Sequence, residues 1–322
     1  MREVMYVYAL VGFVLLFAGG ELLVRGAVAV SRCLGLSSLL IGMTVVAWCT
    51  SSPELVVSVG AAIRGSSDIA LGNVIGSNIF NILGVLGASA LIAPIVVNPR
   101  ALRRDTSVMI AASIALGAIA LTGEIGRSAG VVMLVALAAY VIRSYRTELS
   151  SEPAPSAELH EHEAEEIACP TSVGAGAGYL VGGLVALVVG SQFLVNGATD
   201  IARTFGVPEA IIGLTLVALG TSLPELATSI MAALRGHSDV AVGNVIGSSI
   251  FNILGILGVT SLVRPIAVAQ QMASVDVWVA LAVALVAGIL LVLRGRIGRI
   301  AGAGLLGVYV VYVVFLFAGV GA

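Results

Sequence analysis

Two glutamates stand inside long apolar stretches of the sequence, each directly after a proline. Glu54 follows Pro53 in the segment AWCTSSPE, and Glu225 follows Pro224 in the segment ALGTSLPE. An ionised carboxylate in the middle of a membrane span costs about 2.5–3.5 kcal/mol on insertion scales. No arginine or histidine lies at a comparable depth in these stretches. The sequence therefore predicts that a bound cation compensates the two charges.

The proline beside each glutamate predicts a break in its helix. Pro53 has no N–H group, so the carbonyl of Cys49 loses its helical partner and the ring clashes with the preceding turn. We expect a kink that frees nearby backbone oxygens, among them those of Ala47 and Thr50. Thr50 and Glu54 are four residues apart and share a helix face. Carboxylate, hydroxyl and carbonyl oxygens suit sodium and calcium, whereas zinc or copper would favour histidine and cysteine.

A second motif follows each glutamate, GNVIGSNIFN in the first half of the chain and GNVIGSSIFN in the second. In the first copy, Ser77 and Asn81 are four residues apart, so both side chains could point into the same site. Ser248 and Asn252 hold the matching positions in the second copy. We therefore add these four polar side chains to the candidate ion ligands.

The two copies belong to an internal repeat that predicts the architecture. Residues 35–87 and 206–258 align without a gap at an offset of 171, and 33 of the 53 positions are identical. Five predicted spans in each half make the second half enter the membrane from the opposite face. The expected fold is an all-α membrane protein with ten transmembrane helices, arranged as two inverted five-helix repeats. The predicted spans lie near 4–30, 38–63, 68–95, 106–122, 128–146, 174–202, 208–234, 239–263, 274–293 and 299–319.

The composition excludes a soluble globule. Of the 322 residues, 59% are hydrophobic and 11% are charged, with a mean hydropathy of +1.09, whereas average proteins carry roughly a quarter of charged residues. The net charge of -2 predicts no nucleic-acid binding. We expect three parts: the first repeat in residues 1–146, an acidic linker in 147–172 and the second repeat in 173–322.

The arginines orient the chain. If the predicted spans alternate, five of the 16 arginines fall on the side of the N-terminus and the other eleven on the opposite side. Cytoplasmic loops carry the excess of basic residues, so both termini are predicted outside and the 147–172 loop in the cytoplasm. We expect a multi-pass protein of the cell membrane, surrounded by the lipid bilayer.

Several polar groups have a simpler interpretation than ion binding. Asn73 and Asn244 are expected to form hydrogen bonds between helices, as intramembrane asparagines often do. Glu21 and Arg25 are four residues apart near a helix end, which favours a structural ion pair. The HEHE stretch at 160–163 could bind a metal ion, but a solvated linker is the preferred interpretation.

The paired motifs resemble the alpha repeats of the cation/calcium exchanger superfamily, in particular those of its sodium/calcium exchanger branch. The resemblance depends on TSSPE with GNVIGSNIFN in the first half and on GTSLPE with GNVIGSSIFN in the second. It covers the whole ten-span plan. It implies a compact core of spans 2, 3, 7 and 8 around the ions, across which spans 1 and 6 would slide.

The resemblance also implies a set of ion ligands. Glu54 and Glu225 would be the central carboxylates that take calcium, assisted by oxygens of Thr50 and Thr221. The other implied ligands are the carbonyls of Ala47 and Ala218 and the hydroxyls of Ser51, Ser222, Ser77 and Ser248 for sodium, with Asn81 and Asn252 as the midplane pair. No cofactor is implied, because Na⁺ and Ca²⁺ are the transported substrates.

The predicted function is secondary active antiport of sodium against calcium by alternating access, and not an enzymatic reaction. Exchange of three sodium ions for one calcium ion, as the resemblance implies, would be electrogenic. Some relatives carry aspartate at the position of Asn252, and the potassium-dependent branch associates that carboxylate with potassium transport. Asn252 therefore favours potassium independence.

Other functions remain as alternatives. Potassium-dependent sodium/calcium exchange and proton/calcium exchange are the nearest, although the proton branch has a different glutamate context, GNxxE. A channel would also use carboxylates, but it would show no stimulation by sodium on the opposite side. An intramembrane enzyme is disfavoured because the sequence has no HExxH motif and no nucleophile with a credible base. The oligomeric state is not predicted.

Overall fold

The computed structural model describes residues 2–150, 172–205 and 218–320, most of which are helical. The helices of the first half are α1 (Arg2–Leu34), α2 (Ser38–Thr50), α3 (Ser52–Ile63), α4 (Ser67–Ile92), α5 (Pro99–Ala120) and α6 (Arg127–Ser150). Those of the second half are α7 (Val173–Thr204), α8 (Ala218–Gly220), α9 (Leu223–Leu234), α10 (Ser238–Val263), α11 (Met272–Leu293) and α12 (Arg299–Val320). The 160–163 stretch of the linker lies outside the described residues.

Within the described residues, six helices are long and apolar enough to cross a membrane. They are α1, α4, α6, α7, α10 and α11, and the bent pair α2–α3 makes a seventh if it counts as one span. The other three predicted spans fall on α5, on α8 and α9, and on α12, and residues 208–217 of the second of these are not described. The multi-pass helical class is thereby confirmed, and the count of ten stays a prediction.

Helices α4 and α10, which carry the second motif, lie at the centre of the molecule. The most apolar 18 residues of α10 are all buried, and 72% of the most apolar 18 residues of α4 are buried. Glycines allow the close packing: a Cβ on Gly243 would lie 2.9 Å from the carbonyl oxygen of Leu39, and one on Gly247 would collide with the backbone of Met43. Small residues of this kind bring helix backbones together in membranes. Helix α10 therefore crosses α2 just before the residues of the first motif.

Helices α1 and α7 form a separate pair through glycines spaced seven residues apart. The series on α1 is Gly12, Gly19 and Gly26, and the series on α7 is Gly176, Gly183, Gly190 and Gly197. A spacing of seven keeps the glycines on one helix face. A Cβ on Gly183 would lie 2.6 Å from the backbone nitrogen of Leu23, so the two helices touch along their backbones.

An ion-pair cluster joins this helix pair to the rest of the molecule. The predicted pair of Glu21 and Arg25 is confirmed, with 2.7 Å between Oε1 of the acid and Nε of the base. Glu21 also binds Arg235, whose Nη2 lies 2.7 Å from Oε1 and whose Nε lies 2.9 Å from Oε2. Arg235 directly follows α9, so one carboxylate connects α1 with the end of that helix.

Within the described ranges, four two-residue strands that the sequence does not predict join the two halves of the chain. They are β1 (Ile95–Val96), β2 (Glu124–Ile125), β3 (Ile266–Ala267) and β4 (Arg296–Ile297). Strand β1 pairs antiparallel with β4, and β2 pairs antiparallel with β3. Ile95 and Ile266 are 171 residues apart, as are Ile125 and Arg296. The repeat therefore relates β1 to β3 and β2 to β4. Each ribbon pairs a strand of the first half with a non-equivalent strand of the second half, so the two ribbons are themselves related by the repeat.

The glycine contacts between α1 and α7 predict that Gly183 tolerates no larger side chain. We expect Gly183→Val to destabilise the protein by about 1–3 kcal/mol or more, as overpacking does. The measurement is the thermal unfolding midpoint in detergent. Gly182→Val is the matched control, because Gly182 is exposed and a Cβ there meets no atom within 4 Å. Equal unfolding midpoints for the two variants would contradict the close helix contact.

Candidate ion-binding site

The two glutamates lie at matching helix breaks. Helices α2 and α3 meet at an angle of 45° around Ser51, whose φ and ψ are -84° and 6°. Ser222 has nearly the same backbone conformation, with φ and ψ of -94° and 6°, directly before α9. The predicted kink is confirmed for the first glutamate. Glu54 and Glu225 each lie in the first turn of the new helix, where the helix dipole stabilises negative charge.

The expected release of backbone oxygens is wrong for Ala47. Its carbonyl oxygen accepts a hydrogen bond from the N–H of Ser51 at 3.0 Å, because the helix continues through this turn before it breaks. A carbonyl oxygen has a second lone pair, so this contact leaves room for a cation. In the second half, Ala218 is the first residue of α8.

Each glutamate accepts a hydrogen bond from the serine of the other half. Oγ of Ser51 donates to Oε1 of Glu225 at 2.9 Å, and Oγ of Ser222 donates to Oε1 of Glu54 at 3.0 Å. Oγ of Ser222 also lies 3.3 Å from Oγ of Ser77 on α4. Sequence positions about half a chain apart therefore meet in one polar cluster.

The threonines repeat this crossed arrangement. Glu54 interacts with the side chain of Thr221, and Glu225 interacts with the side chain of Thr50. Oγ1 of Thr50 also lies 3.0 Å from Oδ1 of Asn244 and 3.3 Å from the carbonyl oxygen of Ala47. The two carboxylates lie close enough to interact electrostatically with each other. The site therefore concentrates two carboxyl groups and the hydroxyl groups of three serines and two threonines between the halves.

Part of this oxygen-rich site has no hydrogen-bond partner within the structure. Glu54 and Glu225 are 1% and 0% exposed, and Oε2 of each makes no hydrogen bond. In the part of the chain that the structure describes, no ion pair involves either glutamate. Buried polar groups are normally paired, and an unpaired buried charge is strongly unfavourable. These oxygens are therefore available to a positively charged ligand.

The second motif adds further unpaired groups. Both polar side-chain atoms of Asn81, Oδ1 of Asn252 and Oγ of Ser248 are buried without a hydrogen-bond partner. The turn that begins at Asn81 packs against α9, and the turn that contains Asn252 packs against α3. Each amide thus belongs to a turn that contacts the helix of the opposite glutamate.

The asparagines at the start of the second motif have the structural role that the sequence predicts. Nδ2 of Asn73 lies 3.0 Å from Oγ of Ser58 and 3.3 Å from the carbonyl oxygen of Glu54. Nδ2 of Asn244 lies 2.9 Å from Oγ of Ser229 and 3.3 Å from the carbonyl oxygen of Glu225. These bonds hold each glutamate-bearing helix to its central helix.

Sequence analysis missed one buried residue that contacts the site. Nδ2 of Asn78 donates to the carbonyl oxygen of Ser249 at 3.3 Å, and its Oδ1 accepts from Nδ2 of Asn252 at 3.0 Å. The available signal was that Asn78 breaks the repeat, since Ser249 stands at the equivalent position. The π-helical turns at Asn81–Leu86 and Phe251–Ile256 also had no clear sequence signal. Such turns are frequent at functional sites.

A multi-pass helical protein with two buried carboxylates between matching halves belongs to the class of membrane cation transporters. Comparison with known proteins supports this class. The family model described as "Sodium/calcium exchanger protein" matches residues 4–146 and 175–318. The chain belongs to the sodium/calcium exchanger family, which is a family of transporters.

Relatives along the whole chain support the same family. The chain is 39% identical to the putative antiporter CaxA of Alkalimonas amylolytica, over 97% of this chain and 98% of the relative. It is 31% identical to the sodium/calcium exchanger MaX1 of Methanosarcina acetivorans, over 98% and 99%. Among solved structures, the sodium-calcium exchanger NCX_Mj soaked with sodium and strontium matches with a TM-score of 0.83 and 33% identity, over 98% of this chain and 99% of that one.

The crossed hydrogen bonds predict that Ser51 contributes to calcium binding. We expect Ser51→Ala to raise the apparent dissociation constant for calcium about ten-fold, because a hydrogen bond to a charged group is worth about 1.5–3 kcal/mol. Equilibrium binding of calcium-45 to the purified protein measures this. Ser52→Ala is the matched control, since Oγ of Ser52 donates to the carbonyl oxygen of Trp48 in its own segment. If both variants bind calcium equally well, the bond from Ser51 to Glu225 makes no contribution to calcium binding.

Proposed function

We propose that this protein is a secondary active antiporter that exchanges sodium for calcium across the membrane. One observation carries the proposal: each of two buried glutamates keeps a carboxylate oxygen without a partner, and no ion pair with a basic residue compensates either of them in the described residues. Calcium and sodium prefer such oxygen ligands. The family and the relatives named as exchangers support the same activity.

The proposed ligand assignment is the one that the family resemblance implies, and the paired geometry of the glutamates and serines supports it. Glu54 and Glu225 take calcium between them, and Thr50 and Thr221 contribute oxygens beside the carboxylates. Sodium uses the hydroxyls and carbonyls of Ser51, Ser222, Ser77, Ser248, Ala47 and Ala218, and Asn81 and Asn252 form the midplane pair. Sodium and calcium compete because they share these oxygens.

Charge balance explains why transport is coupled. One calcium ion neutralises the two carboxylates, whereas an empty site would carry two uncompensated charges through a low-dielectric barrier. The empty protein therefore resists the change of access, and the two ions must be exchanged for each other. With three sodium ions for each calcium ion, one net positive charge moves with sodium. Moving one charge through 100 mV is worth about 2.3 kcal/mol.

In the proposed transport mechanism, two inverted repeats alternate between two conformations of the protein. The repeats comprise residues 1–146 and 173–322, with five transmembrane helices each, and residues 147–172 link them. The family model matches one stretch in each half, which supports a duplication. The crosswise ribbons and the crossed serine–glutamate bonds support a pseudo-twofold arrangement around the site. Alternating access then exchanges the roles of the two halves.

We also propose the orientation that the arginines predict. Both termini lie outside the cell, and the linker lies in the cytoplasm. Single cysteines introduced in the linker test this orientation. We expect a membrane-impermeant thiol reagent added outside intact cells to leave them unlabelled, and labelling from outside would show the opposite orientation.

Loss of either glutamate carboxylate tests the central assignment. In proteoliposomes loaded with sodium, we expect calcium-45 uptake by the parent protein and a loss of about 100-fold or more in Glu54→Gln, because a charged ligand is removed from a buried site. Glu124→Gln is the matched control, since Glu124 is exposed in β2. Full sodium-driven uptake in Glu54→Gln would refute the assignment.

The driving ions separate this exchanger from its alternatives. We expect uptake to require internal sodium, to persist without potassium, and to be unaffected when a proton gradient is collapsed. Because net positive charge leaves with sodium, an inside-positive potential should accelerate calcium uptake into sodium-loaded vesicles. A requirement for potassium or for the proton gradient would identify the corresponding alternative, and calcium flux without stimulation by sodium on the opposite side would identify a channel.

A further inference from the structure

The amide of Asn78 has a fixed orientation between the two central helices. Its nitrogen Nδ2 lies 3.3 Å from the backbone carbonyl oxygen of Ser249, and of the two polar atoms of the amide only the nitrogen can donate to a carbonyl. The side-chain oxygen of Asn78 must therefore point the other way. Asn78 is 6% exposed, so its side chain is largely removed from solvent.

The orientation of Asn78 determines that of Asn252. Oδ1 of Asn78 accepts only from a donor, and the atom that faces it at 3.0 Å is Nδ2 of Asn252. The carboxamide of Asn252 is therefore held with its oxygen on the opposite side. That oxygen is buried and has no hydrogen-bond partner, and its turn packs against the helix of Glu54.

The equivalent amide of the first half has no such support. Ser249 stands where Asn78 would be repeated, and its Oγ donates to the carbonyl oxygen of Val245 in its own helix at 2.8 Å. Within the described residues, neither side-chain atom of Asn81 has a hydrogen-bond partner. Two asparagines related by the repeat thus differ, because the amide of Asn252 is held by a hydrogen bond and that of Asn81 makes none in the described residues.

We propose that Asn78 is a positioning residue that holds the carboxamide oxygen of Asn252 toward the transported cation and disfavours a carboxylate at position 252. The first part follows from the fixed hydrogen-bond chain from Ser249 through Asn78. The second part follows because a carboxylate at 252 would place its negative oxygen against Oδ1 of Asn78. The site then holds the two charges of Glu54 and Glu225 and no third. This inference depends on the proposed ion site.

The experiment measures equilibrium binding of calcium-45 to the purified protein, and its displacement by sodium, in Asn78→Ser and Asn78→Leu. Serine is the residue that the second repeat carries at this position, and leucine has a similar branched shape without hydrogen-bonding groups. We expect both variants to weaken the binding of calcium, of sodium or of both about five-fold, because this factor corresponds to the loss of one net hydrogen bond. Constants within two-fold of the parent in a folded variant would overturn the proposal.

A double-variant cycle separates positioning from helix packing. If Asn78 acts through Asn252, adding Asn78→Ser to Asn252→Ala should weaken ion binding no further, because the bond between the two amides is already lost in that background. A purely structural role would lower binding by the same factor in both backgrounds, and this result would overturn the proposal.

Parallel binding assays on the parent protein and on Glu54→Gln distinguish failure of the positioning role of Asn78 from failure of the proposed ion site. If the parent binds calcium and Glu54→Gln does not, an unchanged Asn78→Ser contradicts only the positioning role. If the parent binds no calcium, or Glu54→Gln binds it normally, the proposed ion site itself fails.

Discussion

The structure depends on two carboxylates that are removed from solvent and only half satisfied by the protein. Each glutamate has one oxygen bonded to a serine of the opposite half and one oxygen with no partner. A buried charge without compensation is costly, so the arrangement favours a bound cation. The free-energy cost of two uncompensated charges would destabilise an empty site. The same cost explains how bound ions can control the movement of the protein around them.

The chain builds this site from breaks in its helices. Ser51 and Ser222 end one helical segment, and the proline that follows each starts the next with a glutamate in its first turn. The carboxylates therefore meet helix N-termini, while the serine hydroxyls at the breaks point across to the other half. Glycines on α10 allow it to lie against α2. The same short motifs thus supply the glycines that let the helix backbones pack closely and the polar side chains that meet in the site.

Sequence alone predicted much of this arrangement. The apolar stretches predicted the membrane class, and the repeated proline–glutamate pairs predicted the kink and the acidic centre. The crossed bonds between Ser51 and Glu225 could not be predicted, because they depend on how the two halves dock. Asn78 was missed for the same reason: its partners Ser249 and Asn252 lie on another helix. The two-residue strands give no signal, since each is too short for a periodic pattern.

The most direct test of the account is the position of calcium in the folded protein. A crystal structure with calcium bound, with the ion located by its anomalous scattering, should show a peak about 2.3–2.6 Å from a carboxylate oxygen of both Glu54 and Glu225. A calcium peak elsewhere, or two carboxylates that face lipid or pair with arginines, would contradict the claim that transported ions hold this site together.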